Sequence, residues 1–341
     1  MALLEVHNLS IGVKNNSGFL TAVNNVSFEI KKGEITGLAG ESGCGKTLTA
    51  LSIMGLLPQT IKIRQGEIIF RPDTPPYTAG ENILLNTLGE KELCRIRGKE
   101  ISMIFQEARQ SLNPLVRAGI QITETLELHG IDCKKERRAL ALQMLEKLGF
   151  SDSKKIFNAY PHELSGGMCQ RIMIAIAAIC RPKLLIADEP TTALDDKNQE
   201  HILNLLAEIN RNFGTAIFFI SHDLSVIQKF CNRVVVMYAG KIAEEGPIDK
   251  LFSTPFHPYT KGLLGAIPKK EHRGKPLANI PGKIPSILDK FDGCPFAPRC
   301  PDVFAPCTSA FPPTTDMGGG HKVSCFLAGA LTQPPKAGKD V

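Results

Sequence analysis

The feature that most constrains the fold is the segment of residues 40–47, which follows an apolar run at residues 34–39. The run predicts a β-strand, and a predicted helix opens at Leu48. Glycines between a strand and a helix let successive backbone N–H groups turn towards one anion, and the helix N-terminus adds positive potential. The segment therefore predicts a phosphate-binding loop. Its residues are Gly40, Glu41, Ser42, Gly43, Cys44, Gly45, Lys46 and Thr47.

Two side chains of this loop have separate predicted tasks. In the pattern Gly-x-x-x-x-Gly-Lys-Thr, Lys46 reaches the β- and γ-phosphates of a nucleotide, and Thr47 supplies a hydroxyl to Mg²⁺. The alternative is a glycine-rich turn that carries a solvated lysine. The strand before the loop and the helix after it favour the nucleotide site, because the pattern requires that context.

A second apolar run, at residues 184–187, ends in two adjacent carboxylates. A buried strand rarely ends this way without a cation, so Asp188 is a predicted Mg²⁺ ligand. Glu189 is predicted to orient and deprotonate the water that attacks the γ-phosphate. Taken alone, the pair is also compatible with two solvated loop acids. Beside Lys46 and Thr47, it favours nucleotide hydrolysis.

Composition and charge limit the class of protein. The chain has 341 residues, of which 43% are hydrophobic and 22% charged, and this is enough for a large domain plus an appendage. A net charge of +6 spread over many acidic residues does not predict nucleic-acid binding. The longest apolar run, residues 172–180, is about half the ~20 residues that cross a bilayer. With no N-terminal signal sequence, the expectation is a cytosolic chain.

The order of predicted elements indicates an α/β fold. Strand-like runs occur in residues 1–70, and the middle third is mainly helical, with a helix predicted over residues 134–148. Strands and helices then alternate, as in a parallel sheet. Residues 71–90 are predicted to be an irregular insertion. After residue 267 the composition changes to Pro, Gly and Cys, which predicts a second small unit at residues 268–341.

A third motif distinguishes among nucleotide hydrolases: residues 164–168, Leu-Ser-Gly-Gly-Met, before a helical run. With this motif the chain resembles the ABC (ATP-binding cassette) ATPases. Other marks of that family follow in the same order. They are Gln106, the segment Ala193-Leu194-Asp195, and His222. For residues 1–267 the resemblance implies a P-loop NTPase core, an N-terminal antiparallel β-subdomain and a helical subdomain at about 107–170.

The resemblance also implies a partner chain. Ser165, Gly166 and Gly167 stand where a helix begins and can donate to an anion, yet a second phosphate site in one monomer has no ligand of its own. In the family, two such domains meet head to tail, and each ATP lies between the phosphate loop of one and the signature of the other. A second ABC ATPase subunit is therefore expected, with a paralogue favoured and an identical chain as the alternative. Met168 replaces the common Gln of the signature, a variant typical of peptide and nickel importers.

Single residues receive roles from the same resemblance. His222 resembles the switch histidine that contacts the γ-phosphate, and Gln106 resembles the residue that senses Mg²⁺ and the attacking water. Asp195 is assigned to the nucleotide site. The aromatic side chain that stacks on adenine lies upstream of Val23 in the family, and Phe19 is the candidate here. The alternative is that Phe19 packs within the β-subdomain.

The C-terminal part resembles the extension of oligopeptide and dipeptide importer ATPases, at residues 256–264, 280–282 and 293–300. This implies a motor that drives two integral membrane permease subunits served by an extracytoplasmic substrate-binding protein. It also implies a peripheral location on the cytoplasmic face of the membrane, no nucleic-acid partner, and a membrane contact near residues 113–115. Nickel or another small substrate remains open. A non-transport ABC ATPase is disfavoured, because no heptad array separates Lys46 from Leu164.

Four cysteines lie in this extension: Cys294, Cys300, Cys307 and Cys325. Their spacing, C-x5-C-x6-C-x17-C, lacks the paired C-x2-C of most structural zinc sites, and a reducing compartment disfavours disulfides. The prediction is a structural 4Fe–4S cluster held by the four thiolates. Zinc, or thiols that are unligated or oxidised, are the alternatives. His321 is expected to be a solvated loop residue, and the alternative is that it is a substitute ligand at this site.

Overall fold

The computed structural model describes residues 2–15, 18–72, 81–192, 194–267 and 279–332, and these form a mixed α/β structure. The strands are β1 (Ala2–Asn15), β2 (Gly18–Lys31), β3 (Ile35–Ala39), β4 (Ile61–Phe70), β5 (Ile83–Leu84), β6 (Ile101–Ile104), β7 (Leu184–Asp188), β8 (Ala216–Ser221), β9 (Arg233–Tyr238), β10 (Lys241–Pro247), β11 (Thr314–Asp316) and β12 (Lys322–Ser324). The helices are α1 (Lys46–Ile53), α2 (Glu90–Ile96), α3 (Ala108–Ser111), α4 (Ala118–Leu128), α5 (Lys134–Lys147), α6 (Ser153–Asn158), α7 (Gly166–Ala178), α8 (Asp196–Phe213), α9 (Leu224–Phe230), α10 (Ile248–Ser253), α11 (Pro258–Gly265), α12 (Ala305–Ser309) and α13 (Phe326–Thr332).

The larger sheet has the strand order β11-β12-β10-β9-β3-β8-β7-β6. Strands β9, β3, β8, β7 and β6 run parallel, and β10, β12 and β11 continue the sheet in antiparallel order. Every residue of β3, β6, β7, β8 and β9 is buried. Packing on both faces explains why these strands read as continuous apolar runs instead of alternating ones. The predicted parallel sheet is confirmed.

A smaller antiparallel sheet has the order β2-β1-β4-β5. The long strands β1 and β2 pair with each other, and β1 pairs with β4 on its other side. Their inward side chains, including Leu4, Ile11 and Phe28, share one apolar core with α1 and one face of the larger sheet. The predicted N-terminal antiparallel β-subdomain is therefore confirmed as part of the fold.

The region between β6 and β7 is helical, as the sequence predicted, and contains α3 to α7. These helices pack mainly on one another, and α7 also contacts β6. The insertion predicted at residues 71–90 is only partly irregular, because its described part contains β5 and a short 3₁₀ turn at Leu85–Thr87. Residues 73–80 lie outside the described part. No helix among the described residues has the length and apolar content needed to cross a membrane.

The C-terminal segment shares the main sheet and the main core. Strand β12 pairs with β10 through Glu244–Val323 and Glu245–Lys322, and Phe296 is 2% exposed within the main apolar cluster. The segment has few apolar residues of its own, so it gains burial by joining a larger core. The predicted boundary at residue 268 falls among residues 268–278, which lie outside the described residues.

The expectation that His321 is a solvated loop residue is wrong. Its side chain is 3% exposed, and its Nε2 lies 2.7 Å from Oε1 of Glu244, which is fully buried. The same carboxylate accepts hydrogen bonds from the backbone N–H groups of Phe256 and His257 at 2.8 and 3.1 Å. A carboxylate with three donors around it is favourable in a buried site, and it ties the C-terminal segment to β10.

This network yields a stability prediction. Glu244→Ala would leave His321 and two backbone N–H groups without their acceptor, so unfolding should become easier by about 2–4 kcal/mol. Glu29→Ala is the matched control, because Glu29 forms an exposed pair with Lys31 and its loss should change stability by less than about 1 kcal/mol. Urea unfolding followed by circular dichroism measures both. Equal effects of the two variants would contradict a structural role for the network.

Candidate nucleotide site

The predicted phosphate loop follows β3 and runs directly into α1, whose first residue is Lys46 and not Leu48 as the sequence predicted. Gly45 caps this helix with φ 103°, a left-handed conformation that favours glycine. A Cβ on Gly40 would overlap the backbone oxygen of Met237. Only glycine fits at these two positions, so the loop can bring its backbone close to an anion at the helix N-terminus.

Lys46 is held at the mouth of this loop. Its side chain is buried, and its ammonium donates to the carbonyl oxygens of Gly40 and Glu41 at 2.8 and 3.1 Å. Ser42, Gly43 and Thr47 are exposed on the same loop, which leaves its inner face accessible. A buried cation beside an exposed loop at a helix N-terminus is suited to a phosphate chain.

Asp188 ends β7 and is 2% exposed. Burial raises the pKa of its carboxyl group, while a hydrogen bond with Thr47 and the charge of Lys46 lower it. Within the described part of the chain, Asp188 Oδ1 is buried with no hydrogen-bond partner. A buried carboxylate oxygen without a donor fits a cation, and the hydroxyl of Thr47 completes an oxygen donor set of the kind that Mg²⁺ prefers.

The other two predicted catalytic residues, Gln106 and His222, both contact Glu189. Its Oε2 accepts from Nε2 of Gln106 at 3.2 Å, and Nδ1 of His222 lies 3.2 Å from its Oε1. Oγ1 of Thr192 also donates to Oε2, at 2.8 Å. Thr192 was not predicted from the sequence, because a threonine in a turn is too common to indicate such a contact.

The backbone of Glu189 adopts φ 47°, in the left-handed region that few residues other than glycine enter. Its N–H donates to the carbonyl oxygen of Ile220 at 3.0 Å, and Thr192 N–H donates to the carbonyl oxygen of Glu189 at 3.2 Å. These bonds hold the strained residue in place. Strain of this kind concentrates at functional sites, where the surrounding structure fixes a side-chain direction.

The signature residues lie at the start of α7. The hydroxyl of Ser165 caps the helix by accepting from the N–H of Met168 at 3.3 Å, and Gly166 is exposed beside it. Asp195 caps the neighbouring helix α8 in the same way and accepts from Asn198 N–H at 2.9 Å. That bond is the main reason the pKa of Asp195 is lowered.

The two caps lie next to each other, because a Cβ on Gly167 would be 3.6 Å from Oδ1 of Asn198. Within the described residues, no hydrogen bond or ion pair joins this pair of caps to Lys46 or Glu189. The signature is therefore an exposed helix start that, in the described part of the chain, is not bonded to the phosphate-loop lysine or to the glutamate. Ala193, which precedes Asp195 in the predicted motif, lies outside the described residues.

Phe19 is 39% exposed, and the guanidinium carbon of Arg64 lies 4.3 Å from its ring centre. The ring lines a cavity of about 460 Å³ that also contacts Gly43 of the phosphate loop and Leu48 of α1. Its position beside the loop is compatible with stacking on a base, and that role stays a prediction.

The four cysteines of the C-terminal segment line one small cavity of about 10 Å³, which has room for about one water molecule. Burial is the main cause that raises the pKa of the Cys294 thiol to about 11, and the neighbouring Cys325 and Cys307 contribute to the increase. Among the described residues, no group of three or more His, Cys, Asp or Glu side chains is arranged to hold a single metal ion. The predicted 4Fe–4S cluster is therefore not supported by the described residues.

A phosphate loop, a buried carboxylate that lacks a donor and a glutamate in a strained turn define a nucleoside triphosphate hydrolase of the P-loop class. Comparison with known proteins specifies the class further. Residues 23–192 match the family described as ABC transporter, and residues 243–307 match the one described as oligopeptide/dipeptide transporter, C-terminal region.

Individual relatives agree with the family match. The oligopeptide transport ATP-binding protein OppD of Escherichia coli is 45% identical over 95% of this chain and 93% of its own length. The oligopeptide transport ATP-binding protein AppD of Bacillus subtilis is also 45% identical, over 95% of this chain and 96% of its own. A dimeric post-hydrolysis structure of the ATP-binding cassette MJ0796, bound to ADP and Pi, is 31% identical and superposes with a TM-score of 0.62 over 72% of this chain and 98% of its own.

The chain therefore belongs to the ABC transporter family of ATP-binding subunits, and within it to the group that carries the oligopeptide/dipeptide C-terminal region. It is an ATPase of the ABC type, and ATP with Mg²⁺ is the substrate pair that this family uses.

The geometry of Asp188 leads to a prediction about the metal. Asp188→Asn should lower the gain in ATP affinity that Mg²⁺ provides by about tenfold or more, because the amide is a poorer cation ligand. Affinity measured in EDTA should change little. Titration of a fluorescent ATP analogue with and without Mg²⁺ measures both, and Asp196→Asn, at an exposed position of α8, is the matched control. An undiminished Mg²⁺ effect would contradict the assignment.

Proposed function

We propose that this chain is the ATP-hydrolysing motor of an importer for di- or oligopeptides. The observation that carries the proposal is the similarity to oligopeptide and dipeptide transport ATP-binding proteins over 95% of the chain, which includes the C-terminal region. A nucleotide-binding domain at residues 1–267 and an extension at residues 268–341 are the proposed units. The cargo is inferred from these relatives, since the motor does not touch it.

In the proposed chemistry, each polar residue of the site has one task. Lys46 moves from the two loop carbonyls to the β- and γ-phosphates, and Thr47 and Asp188 hold Mg²⁺. When bound, Mg²⁺ neutralises charge on the β- and γ-phosphate oxygens. The remaining loop residues donate backbone N–H groups to the phosphates, and Phe19 stacks on the base.

Glu189 is the proposed general base. Its carboxylate is held by Gln106, His222 and Thr192, so it is oriented before the nucleotide arrives. A carboxylate at hydrogen-bond distance from the attacking water removes its proton as the new oxygen–phosphorus bond forms and the bond between the γ-phosphorus and the ADP oxygen breaks. His222, which is half exposed, can turn from Glu189 to the γ-phosphate. Gln106 can release the Glu189 carboxylate and form a hydrogen bond with the attacking water instead.

The exposed signature supports a second ATPase subunit as partner. Ser165, Gly166 and Gly167 would close over the ATP held by the partner's phosphate loop, in a head-to-tail dimer with a paralogue, and Asp195 lies beside them at this interface. The proposed assembly includes two integral membrane permease subunits and an extracytoplasmic substrate-binding protein, with the motor on the cytoplasmic face of the membrane. Leu115, which is 84% exposed, is the proposed contact for a permease subunit.

The base assignment is tested by Glu189→Gln. The amide keeps the shape of the carboxylate but cannot take the proton, so ATP hydrolysis should slow by a factor on the order of 10² or more while ATP binding persists. Phosphate release from the assembled transporter and binding of a fluorescent ATP analogue measure the two effects. Glu208→Gln, at an exposed position of α8, is the control.

The same preparation tests the cargo. Proteoliposomes that contain the complete transporter should take up labelled di- or oligopeptides with the wild-type motor and not with Glu189→Gln. ATP-dependent uptake of nickel without peptide uptake would replace the peptide proposal by the metal one. Near-normal hydrolysis by Glu189→Gln would remove the base assignment whatever the cargo.

We propose further that Cys294, Cys300, Cys307 and Cys325 hold a 4Fe–4S cluster. The four thiols line one cavity, and the N–H of Cys294 donates to the carbonyl oxygen of Cys307 at 2.8 Å, which supports a common site. Each thiolate of such a cluster binds a different iron, so the four stand farther apart than the ligands of one ion. The cavity of about 10 Å³ requires the loops to spread before a cluster fits. The role would be structural.

Iron analysis tests this proposal. Protein purified without oxygen should be brown and contain about four irons and four acid-labile sulfides per chain. Changing any one of the four cysteines to serine should bleach it, whereas Cys133→Ser, at an exposed position outside the extension, should not. Stoichiometric zinc without labile sulfide, or metal-free protein with an ordered C-terminal segment, would contradict the cluster.

A further inference from the structure

One arginine of the C-terminal segment contacts the phosphate loop directly. The side chain of Arg299 is 4% exposed and forms a two-point ion pair with Glu41: Nη1 lies 2.7 Å from Oε2, and Nη2 lies 3.0 Å from Oε1. Nη1 also donates to Tyr238 Oη at 3.2 Å, Nη2 to Ile280 O at 3.3 Å and Nε to Pro281 O at 2.9 Å. All five N–H donors of the guanidinium are therefore used.

The backbone around this guanidinium is shaped to receive it. Gly282 follows the two carbonyl acceptors and adopts φ 86°, a conformation that favours glycine. A Cβ there would lie 3.0 Å from Cγ of Arg299, which is closer than ordinary contact allows. A positively charged group so enclosed is stable only with its full set of acceptors, and the strongest of them belongs to the phosphate loop.

Glu41 links Arg299 to the nucleotide-binding Lys46. Its carbonyl oxygen accepts from Nζ of Lys46 at 3.1 Å, and its N–H donates to Oη of the buried Tyr259 at 3.0 Å. Both backbone groups and the side chain of Glu41 are thus held at once. A shift of Arg299 would move the loop residue that positions Lys46 before ATP binds.

Charge gives the contact a second consequence. Glu41 is the second residue of a loop that binds a polyanion, and a free carboxylate there would repel the phosphates of ATP. The guanidinium of Arg299 lies at ion-pair distance and cancels this charge in a mostly buried site, where electrostatic effects are stronger than in water. A bidentate arginine also fixes the carboxylate in a direction that a lysine could not.

From these contacts we propose that Arg299 is a positioning residue for ATP: by neutralising and orienting Glu41, it makes the C-terminal extension a working part of the nucleotide site. The inference rests on the proposed ATPase function of the phosphate loop. It predicts that the extension governs ATP affinity and not the chemical step, because Arg299 contacts neither Glu189 nor His222.

The test is the dependence of ATP hydrolysis on ATP concentration in the assembled transporter. Arg299→Gln should raise KM for ATP about tenfold, because the freed carboxylate of Glu41 would repel the phosphates of ATP at close range, and kcat should stay within about twofold. The double variant Glu41→Gln/Arg299→Gln should return KM to within about threefold of wild type, because the repelling carboxylate is gone. Lys322→Gln, which removes an ion pair of the extension away from the loop, should leave KM unchanged.

The outcomes separate the alternatives. A folded Arg299→Gln chain with unchanged KM, or a KM increase that persists in the double variant, would overturn the inference, since a purely structural arginine would not be rescued by removing Glu41. If Arg299→Gln does not fold by circular dichroism, Arg299→Lys, which keeps the charge, should still raise KM about threefold, and an unchanged KM would overturn the inference. Lys46→Ala, measured in parallel, tests the phosphate loop itself: unchanged ATP affinity there would remove the proposed function and not this inference alone.

Discussion

The site depends on the parallel pairing of three neighbouring strands, β3, β8 and β7. In the sheet, Ala39 is level with Ser221, and Ile220 is level with Asp188. Each strand therefore ends at the same edge, and the residue after each one faces the same space: the phosphate loop, His222 and Glu189. Parallel strands require crossover connections that return the chain to the same end of the sheet. Residues that are far apart in sequence therefore meet at the carboxyl ends of these strands.

A consequence of this arrangement is the backbone of Glu189. The chain must turn sharply where β7 ends, and the left-handed conformation at this residue turns the carboxylate towards Gln106, Thr192 and His222. A conformation of this kind costs of order 1–3 kcal/mol in a non-glycine residue. The fully buried strands β7 and β8 supply the stability that holds Glu189 in this conformation. The strained catalytic residue therefore depends on the rigid core.

The parts that could be predicted from the sequence are those whose signal is local. The phosphate loop, the acidic strand end and the helix start at Ser165 each lie within a few residues of chain, and their strand or helix context can be inferred from hydrophobic periodicity. Thr192, although local, has a common residue type in a turn, so nothing marked it. His321 and Arg299 could not be found, because their partners Glu244 and Glu41 are 77 and 258 residues away. A buried polar contact of that range leaves no pattern in a single sequence.

The same long-range contacts decide how independent the C-terminal segment is. Its residue Phe296 lies against Tyr238 and Tyr259, with ring centres 5.2 and 5.4 Å apart, and these tyrosines belong to the core beneath the phosphate loop. The hydroxyl groups of both tyrosines are occupied by Arg299 and by the N–H of Glu41. Loosening the segment would thus expose aromatic surface and separate the Arg299 guanidinium from the Tyr238 hydroxyl and the Glu41 carboxylate. Because these costs fall on groups that also shape the loop, local unfolding of the segment and disorder of the phosphate loop are expected to occur together, as one cooperative unit.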